Sequence, residues 1–504
     1  WQSVTSMPAA FNQQGWLTLG AGKIFHSNHC NVHRSHWSPE QPPYFQHDYG
    51  ACPDQPHAGT TWCVHESDET ELFDYQLASH AISLLDLANM TAANELANTG
   101  SARPFFIMVG FVRPHGPWIV PKRLWRQQSS LRLLAAKHDS SDFRESLKPD
   151  MAFASGILDA SIGEATQWQD RWHLRSDFAS PPDEVQRQHR RAYFASIAWI
   201  DEQFGRLIDA LDQYERFSMK TLVIVHSDHG YNLGEFGQWH KSTVNELGTR
   251  VPLLMRAPWI TPRVDRVSRP VELLDIYPTI LSLTGARSTA RGSLEGVNFA
   301  DVFRKASMDD RCDRASFSQF VRCMSGSKLT NSSLLENTKC SGDVASFKPE
   351  TARHAGSEVP DPPVETMGYS VRAPNWRYTA WLPFANGSAD WNMHHILGTE
   401  LYLHDLKAVE LSNGTSRDTG CHANYDACEL ENLADNAQLA QVQLRLHQQL
   451  QARFQMSSKG GDKGHRILSE SAEDTENDDH NGGVQPGNCG QWPTIFVLGA
   501  QKSG

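Results

Sequence analysis

The sequence predicts an α/β fold: a mostly parallel sheet flanked by helices, followed by a smaller antiparallel sheet subdomain. Three observations carry this expectation. Phe105-Phe106-Ile107-Met108-Val109 and Thr221-Leu222-Val223-Ile224-Val225-His226 are short continuous apolar runs, the pattern of strands covered on both faces. Between them lies a segment with apolar residues at spacings of three and four, so strand, helix and strand follow one another as in a parallel sheet. From about Ala286 the composition changes, and the strand-like segments beyond it are short and alternating.

In chain order, Gly15-Trp16-Leu17-Thr18-Leu19-Gly20 reads as a short buried strand. Arg103-Pro104 leads into the strand at Phe105–Val109. Arg191 to Leu211 predicts a helix, with Tyr193, Ile197, Ile200, Phe204, Leu207, Ile208 and Leu211 on one stripe and Asp201, Glu202, Arg206 and Asp209 between them. The strand at Thr221–His226 follows. Val271 to Leu283 is apolar at helical spacing and stops at Gly285, a natural cap residue. Residues 306–366 are rich in Ser, Asp, Gly and Pro and show little periodicity. Tyr369–Arg372, Arg377–Trp381 and Glu400–Leu403 read as strands, and Gln438 to Phe454 as a helix. Ser457 to Asn488 offers almost nothing that packs, and reads as a disordered linker. Thr494–Gly499 then begins a new strand. The expected organisation is an α/β domain over 1–305, an irregular insertion over 306–366, a C-terminal subdomain over 367–456, a linker over 457–490 and the start of a further domain over 491–504.

Composition narrows the function classes. The longest apolar run, Phe105 to Val112, is too short to span a bilayer. Fifteen Trp, 22 Phe and 11 Tyr supply a core, which excludes wholesale disorder. A formal charge of -12 gives no basic field, so nucleic acid is not an expected partner. Cys52 with Cys63 and Cys421 with Cys428 stand close in sequence within Pro/Asp/Gly/His-rich loops, where short disulfides close easily. Asn-x-Ser/Thr acceptors occur at Asn89, Asn331, Asn386 and Asn413. Together these point to an oxidising, secretory compartment: the Golgi or lysosomal lumen, or the exterior. The first residue is Trp1, and the chain reads as a slice of a longer polypeptide.

Ligands of open α/β sheets bind beyond the carboxyl ends of the strands. Here those ends run into Gly22-Lys23-Ile24-Phe25-His26, Arg113-Pro114-His115-Gly116-Pro117 and Ser227-Asp228-His229-Gly230, with Glu235 and His240-Lys241 following. Taken singly, each residue has a bland reading as a solvated or carbonyl-bonded loop side chain. Converging, they describe a site for a tetrahedral oxyanion beside a divalent metal. Asp228 suits a hard cation, the lysines would neutralise oxygens, and a histidine would protonate a departing alkoxide. The His/Cys-dense stretch His26–His36 raises zinc as a rival. No second CxxC or HxxxH element stands at finger spacing, so it reads as a hydrogen-bonding loop.

These segments resemble the sulfatases, in particular the iduronate-2-sulfatase branch of the alkaline-phosphatase superfamily. The likeness rests on Gly22–His26, Val112–Pro117, Ser227–Glu235 and Trp239-His240-Lys241, and extends through Val251-Pro252-Leu253, Val271–Thr279, Gly368–Arg372 and Arg377-Tyr378-Thr379. It implies that Asp228 and His229 are ligands of a divalent cation, usually Ca2+. Lys23 and His26 would hold and activate the nucleophile, His115 would contact sulfate and the leaving oxygen, and Lys241 would bind sulfate. All six are expected to line one cavity. It also implies the disulfides Cys52–Cys63 and Cys421–Cys428. In the family a formylglycine, made from Cys in a Cys-x-Pro-x-Arg segment by the formylglycine-generating enzyme, supplies the attacking hydroxyl. None of the nine cysteines stands in such a segment. The resemblance therefore implies a sheet whose N-terminal strands are missing, together with the nucleophile and two further Asp ligands.

Thr494–Gly504 resembles the opening of a sulfotransferase domain, where a strand enters a Lys/Ser/Gly loop cradling a phosphosulfate donor. Two function classes follow for the whole. One is an enzyme cleaving sulfate esters, in particular of sulfated sugars. The other is a non-catalytic relative that binds sulfated glycans.

Overall fold

The computed structural model describes residues 5–25, 34–40, 62–129, 183–235, 239–241, 243–260, 267, 269–287, 294–303, 314–322, 366–385, 388–404, 429–457 and 494–500. His26, Cys52, Cys421, Cys428, Asn331, Asn386, Asn413 and the expected linker beyond Ser457 lie outside these residues.

Ser6 accepts a hydrogen bond from the Ala9 N–H and opens helix α1 (Met7–Asn12), with Pro8 in the first turn. Strand β1 (Leu17–Gly22) follows a turn at Gly15. Strand β2 (Trp62–His65) leads to α2 (Phe73–Thr99), which ends on Gly100 in the left-handed conformation. Then come β3 (Phe105–Phe111), β4 (Trp118–Pro121), α3 (Lys122–Ser129) and the long α4 (Asp183–Asp212). Strand β5 (Thr221–Ser227) is followed by the short pair β6 (Asn232–Leu233) and β7 (Trp239–His240), then α5 (Glu246–Thr249), β8 (Leu253–Arg256) and α6 (Ile276–Thr284).

The large sheet has the order β1-β3-β14-β5-β8, where β14 is Thr494–Ala500. All its pairings are parallel except β5 with the edge strand β8. Why its strands are mostly apolar is visible in the two clusters they feed. Phe105, Ile107, Val109, Phe111 and Val223 pack with Leu77, Leu84, Trp199 and Leu207 of α2 and α4. The intervening Phe106, Leu222 and Ile224 pack on the other face with Phe11 of α1 and Ile276 and Ile280 of α6. A strand with a covered face on each side favours apolar residues, and buried exceptions such as Thr18 and Thr221 are hydrogen-bonded.

The second sheet is antiparallel, in the order β12-β11-β10-β9 with β13 also on β11. Its strands are β9 (Ser316–Arg322), β10 (Thr366–Arg372), β11 (Trp376–Ala385), β12 (Ser388–Ala389) and β13 (Gly398–Leu403). Helix α7 (Ala440–Ser457) packs Leu446 and Leu450 onto Val371, Tyr378 and Leu401. The opposite face turns Trp381 toward Val244 of the first domain.

The structure differs from the sequence reading in four places. Helix α2 gives a weak apolar pattern because most of its buried positions are Asp74 or alanine, including Ala78, Ala81 and Ala88. The helix expected from Val271 begins at Ile276, because Glu272 and Asp275 close a capping box around a 3-10 turn at Leu273–Asp275. Strand β9 runs through the segment read as irregular, held by its register on β10 rather than by its own composition. Segment 494–500, read as the start of a further domain, pairs inside the large sheet between β3 and β5. Among the described residues no helix is long and apolar enough to cross a membrane.

Candidate active site

Lys23 is placed by two glycines. Gly22 takes φ 76, and the Lys23 N–H donates to Gly110 O of β3 at 2.7 Å. A Cβ on Gly110 would stand 2.2 Å from Lys23 O, so only glycine lets this turn lie against the strand. The side chain ends 1% exposed. Burial lowers its pKa to about 8, with nearby Asp228 opposing the shift and Arg113 adding to it.

His115 sits in the turn after β3, between the cis peptide bonds Arg113–Pro114 and Gly116–Pro117. Asp74, in the first turn of α2, holds the base of this turn by accepting from Val112 N at 2.8 Å. Trp118 Nε1 closes it by donating to Pro114 O at 2.7 Å. The His115 Nδ1–H donates to Gly116 O, which leaves Nε2 facing outward from that bond. Burial, then Lys241 and Lys23, push the imidazole down to about 3, so it is neutral at neutral pH.

Asp228 and His229 cap β5. Asp228 Oδ1 accepts from His229 N at 3.0 Å, and Ser227 Oγ donates to His229 O at 2.9 Å. His229 Nδ1–H donates to Gly230 O at 2.8 Å, so the Nε2 lone pair is presented 3.7 Å from Asp228 Oδ2. That Nε2 is buried and has no hydrogen-bond partner among the described residues. An imidazole oriented by a carbonyl beside a carboxylate fits one side of a divalent-cation shell. The turn is seated on α5: Gly230 N donates to Gly248 O at 2.8 Å, and a Cβ on Gly230 would meet Leu247 O at 1.9 Å.

Lys241, buried to 7% exposure, follows β7. The chain after it is tied back to the Asp228 turn by Asn232 and Asn245, whose side chains bond at 2.9 Å. The resulting group is compact electrostatically. Lys23 responds to Asp228, His115 to Lys241 and Lys23, and His229 to Asp228, Lys241 and Lys23. Glu235 is engaged by Arg190, whose Nη2 donates to its Oε1 at 2.8 Å, and by Leu233 N, which donates to its Oε2 at 2.6 Å.

Sequence reasoning passed over two contributors. Arg113, 4% exposed, adds a cation beside Lys23 and His115, and Asp74, 2% exposed, faces it from α2. Burial pushes the Asp74 carboxyl up, against the pull of Arg113. The signal for Arg113 was its place directly before Pro114-His115. For Asp74 there was none, since its role depends on where a helix start meets a strand end. A third cluster, Glu246, His404 and Glu429, has ligand atoms within 4.8 Å of one another, but Arg377 already occupies it with hydrogen bonds to both carboxylates.

The Sulfatase family model matches residues 1–286. Iduronate 2-sulfatase of Mus musculus is 26% identical over 459 residues, covering 81% of this chain and 76% of that protein. Choline-sulfatase of Rhizobium meliloti (strain 1021) is 33% identical over 187 residues, 37% of this chain and 32% of that protein. In three dimensions the chain is similar to the phosphonate monoester hydrolase SpPMH from Silicibacter pomeroyi, with a TM-score of 0.54 at 17% identity, covering 92% of this chain and 82% of that one. With the Sulfatase family model matched over more than half of this chain, the chain belongs to the sulfatase family.

Proposed function

We propose that this chain provides the anion-binding and metal-binding side of a sulfate ester hydrolase acting on sulfated sugars. The observation that supports it most directly is the convergence of Lys23, His115, Lys241 and the Asp228-His229 turn, from three strand ends and one loop, into a single electrostatic group. The similarity to iduronate 2-sulfatase over most of the chain favours the sugar class.

Each residue has a role that follows from its setting. Lys241 and Lys23 neutralise the non-bridging oxygens of a bound sulfate. Having been stripped of water, both ammonium groups bind an anion more strongly than exposed lysines would. His115 begins neutral. The negative charge of an arriving sulfate raises its proton affinity, so the ring takes up a proton as the ester binds and holds it where the alcohol oxygen leaves. Asp228 and His229 would hold a divalent cation, expected to be Ca2+, which when bound polarises sulfate oxygens. His26 is proposed beside Lys23 on the family resemblance alone. No residue of this chain fits the formylglycine position, and the attacking step is assigned to none. The same resemblance supports the disulfides Cys52–Cys63 and Cys421–Cys428, of which Cys63 is disulfide-bonded in the structure. A secretory location, glycosylation at Asn89, Asn331, Asn386 or Asn413, and service by the formylglycine-generating enzyme belong to the same proposal.

The test is calorimetric titration of the chain with inorganic sulfate in the presence of Ca2+. Binding that Lys241→Ala weakens strongly is the expected result. A chain that takes up no sulfate, or whose Lys241→Ala variant binds as well, overturns the assignment. Residues 1–504 should turn over no aryl sulfate, since losing a nucleophile costs on the order of a millionfold in rate. A second reading, a binding protein for sulfated glycans, shares the anion site and differs only in lacking turnover in the whole polypeptide.

A further inference from the structure

The C-terminal sheet reaches the segment after Lys241 chiefly through Arg377, with Arg372, Glu429 and Trp381 beside it. Arg377 of β11 is 2% exposed, and all five of its N–H groups are used. Nε donates to Glu429 Oε1 at 2.5 Å. Nη1 donates to Val244 O at 3.0 Å and to Ser370 Oγ at 3.2 Å. Nη2 donates to Glu246 Oε2 at 2.6 Å and to Thr249 Oγ1 at 3.1 Å. Glu429 in turn accepts from Glu246 N at 2.9 Å and from His404 Nε2 at 2.8 Å, and Arg372 Nε adds a bond to Glu246 at 3.1 Å.

Three of the five acceptors, Val244, Glu246 and Thr249, lie in the short segment just after Lys241. The far side of that segment is the seat of the Asp228-His229 turn, through Gly248 O to Gly230 N and Asn245 to Asn232. One guanidinium thus fixes, from the second domain, the piece of chain that carries one site lysine and supports the proposed metal ligands. Burying two carboxylates and two guanidiniums is a poor way to hold two domains together, since apolar side chains of equal volume commonly do as well or better. What directional bonds add is register.

We propose that Arg377 is a positioning residue of the anion site: it sets residues 243–249 so that Lys241 and the Asp228-His229 turn stand at their working separation. This rests on the sulfate-site reading above. A role confined to stability would make the C-terminal sheet a passive buttress, whereas positioning makes it part of the recognition apparatus.

The test is a double-mutant cycle on the whole chain, with inorganic sulfate as the titrant and melting temperature measured beside it. Arg377→Lys keeps the charge but cannot make the five-way pattern. It should weaken sulfate binding about tenfold, the size of coupling found between groups in contact. In a Lys241→Gln background it should weaken binding distinctly less, while lowering the melting temperature by the same amount in both. Wild-type affinity in a folded Arg377→Lys protein overturns the proposal, and so does an equal loss in both backgrounds. If Arg377→Lys does not fold, Glu429→Gln, which keeps side-chain size and an acceptor oxygen, goes through the same cycle, and the same results uphold or overturn the proposal. If the unmutated chain binds no sulfate, the sulfate reading has failed and the clamp is judged by hydrogen exchange. Faster exchange across residues 228–249 in Arg377→Lys upholds it, and unchanged exchange ends it.

Discussion

At 1% exposure the Lys23 ammonium pays for its position with proton affinity, and that makes it testable by pH. Its pKa of about 8 means that raising pH through 8 empties the site of one positive charge. Sulfate affinity measured from pH 6 to pH 10 should therefore fall above about 8, and Lys23→Met should bind weakly and without that step. The sign for stability is opposite. Between about 8 and 10.5 the unfolded chain holds the Lys23 proton more firmly, so this residue's contribution rises with pH there. His115 works at the other end. Its folded value of about 3 lies below the unfolded 6.5, so the contribution is whole above 6.5 and is lost as pH falls toward 3. Melting temperature should decline on acidification through that window, less steeply in His115→Gln; equal slopes would count against a buried neutral ring. Lys23, His115, Asp228, His229 and Lys241 were all legible as residues just past apolar strands or in the following loop. Asp74, Arg377 and Glu429 were not, because a buried polar side chain announces itself only through the partner that tertiary structure brings to it.

At the scale of elements, the site depends on how closely a turn can approach a strand. Gly110→Ala places a methyl group 2.2 Å from Lys23 O, a collision with backbone that no rotamer relieves. It should cost about 3 kcal/mol in stability and weaken sulfate binding together, as overpacking of a well-filled site does. Gly205, inside α4, is the control: nothing lies within 4 Å of a Cβ there, and Gly205→Ala should stabilise by about 0.5–1 kcal/mol with sulfate binding unchanged. Chemical denaturation with a parallel sulfate titration checks both. The elements that could be read in advance are β3, β5 and the Arg191–Leu211 part of α4, where the apolar period is strongest; the first turns of α4, from Asp183, bury Gln186, His189 and Arg190 and so escaped it. Helix α2 escaped notice because alanine fills its stripe against the sheet, and β9 because its strand character is lent by β10.

At the scale of the molecule, the two sheets are joined through buried charge at Arg377 and through Trp381 against Val244. The large sheet is joined to itself through β14, whose backbone pairs with β3 on one side and β5 on the other. Val497→Pro removes a ladder N–H at the middle of that strand, with a cost of about 3 kcal/mol or more expected for proline in a regular element. A clear drop in melting temperature is the expected outcome, and an unchanged melt would take β14 out of the sheet.

The place of β14 bears on the order of events in folding. Strands β3 and β5 are both synthesised in the first half of the chain, and the strand between them comes last. Until it arrives, two apolar strands present unpaired edges to each other and to any neighbouring molecule, the condition under which sheets join the wrong partner. Closing so long a loop adds only slowly to the entropic cost, roughly 0.6 kcal/mol for each doubling of length, so the native pairing is not forbidden by its range. It is delayed by it, since distant pairing slows the approach to the transition state. The gap between β3 and β5 thus stays open from the synthesis of β5, ending at Ser227, until the chain has delivered Thr494–Ala500.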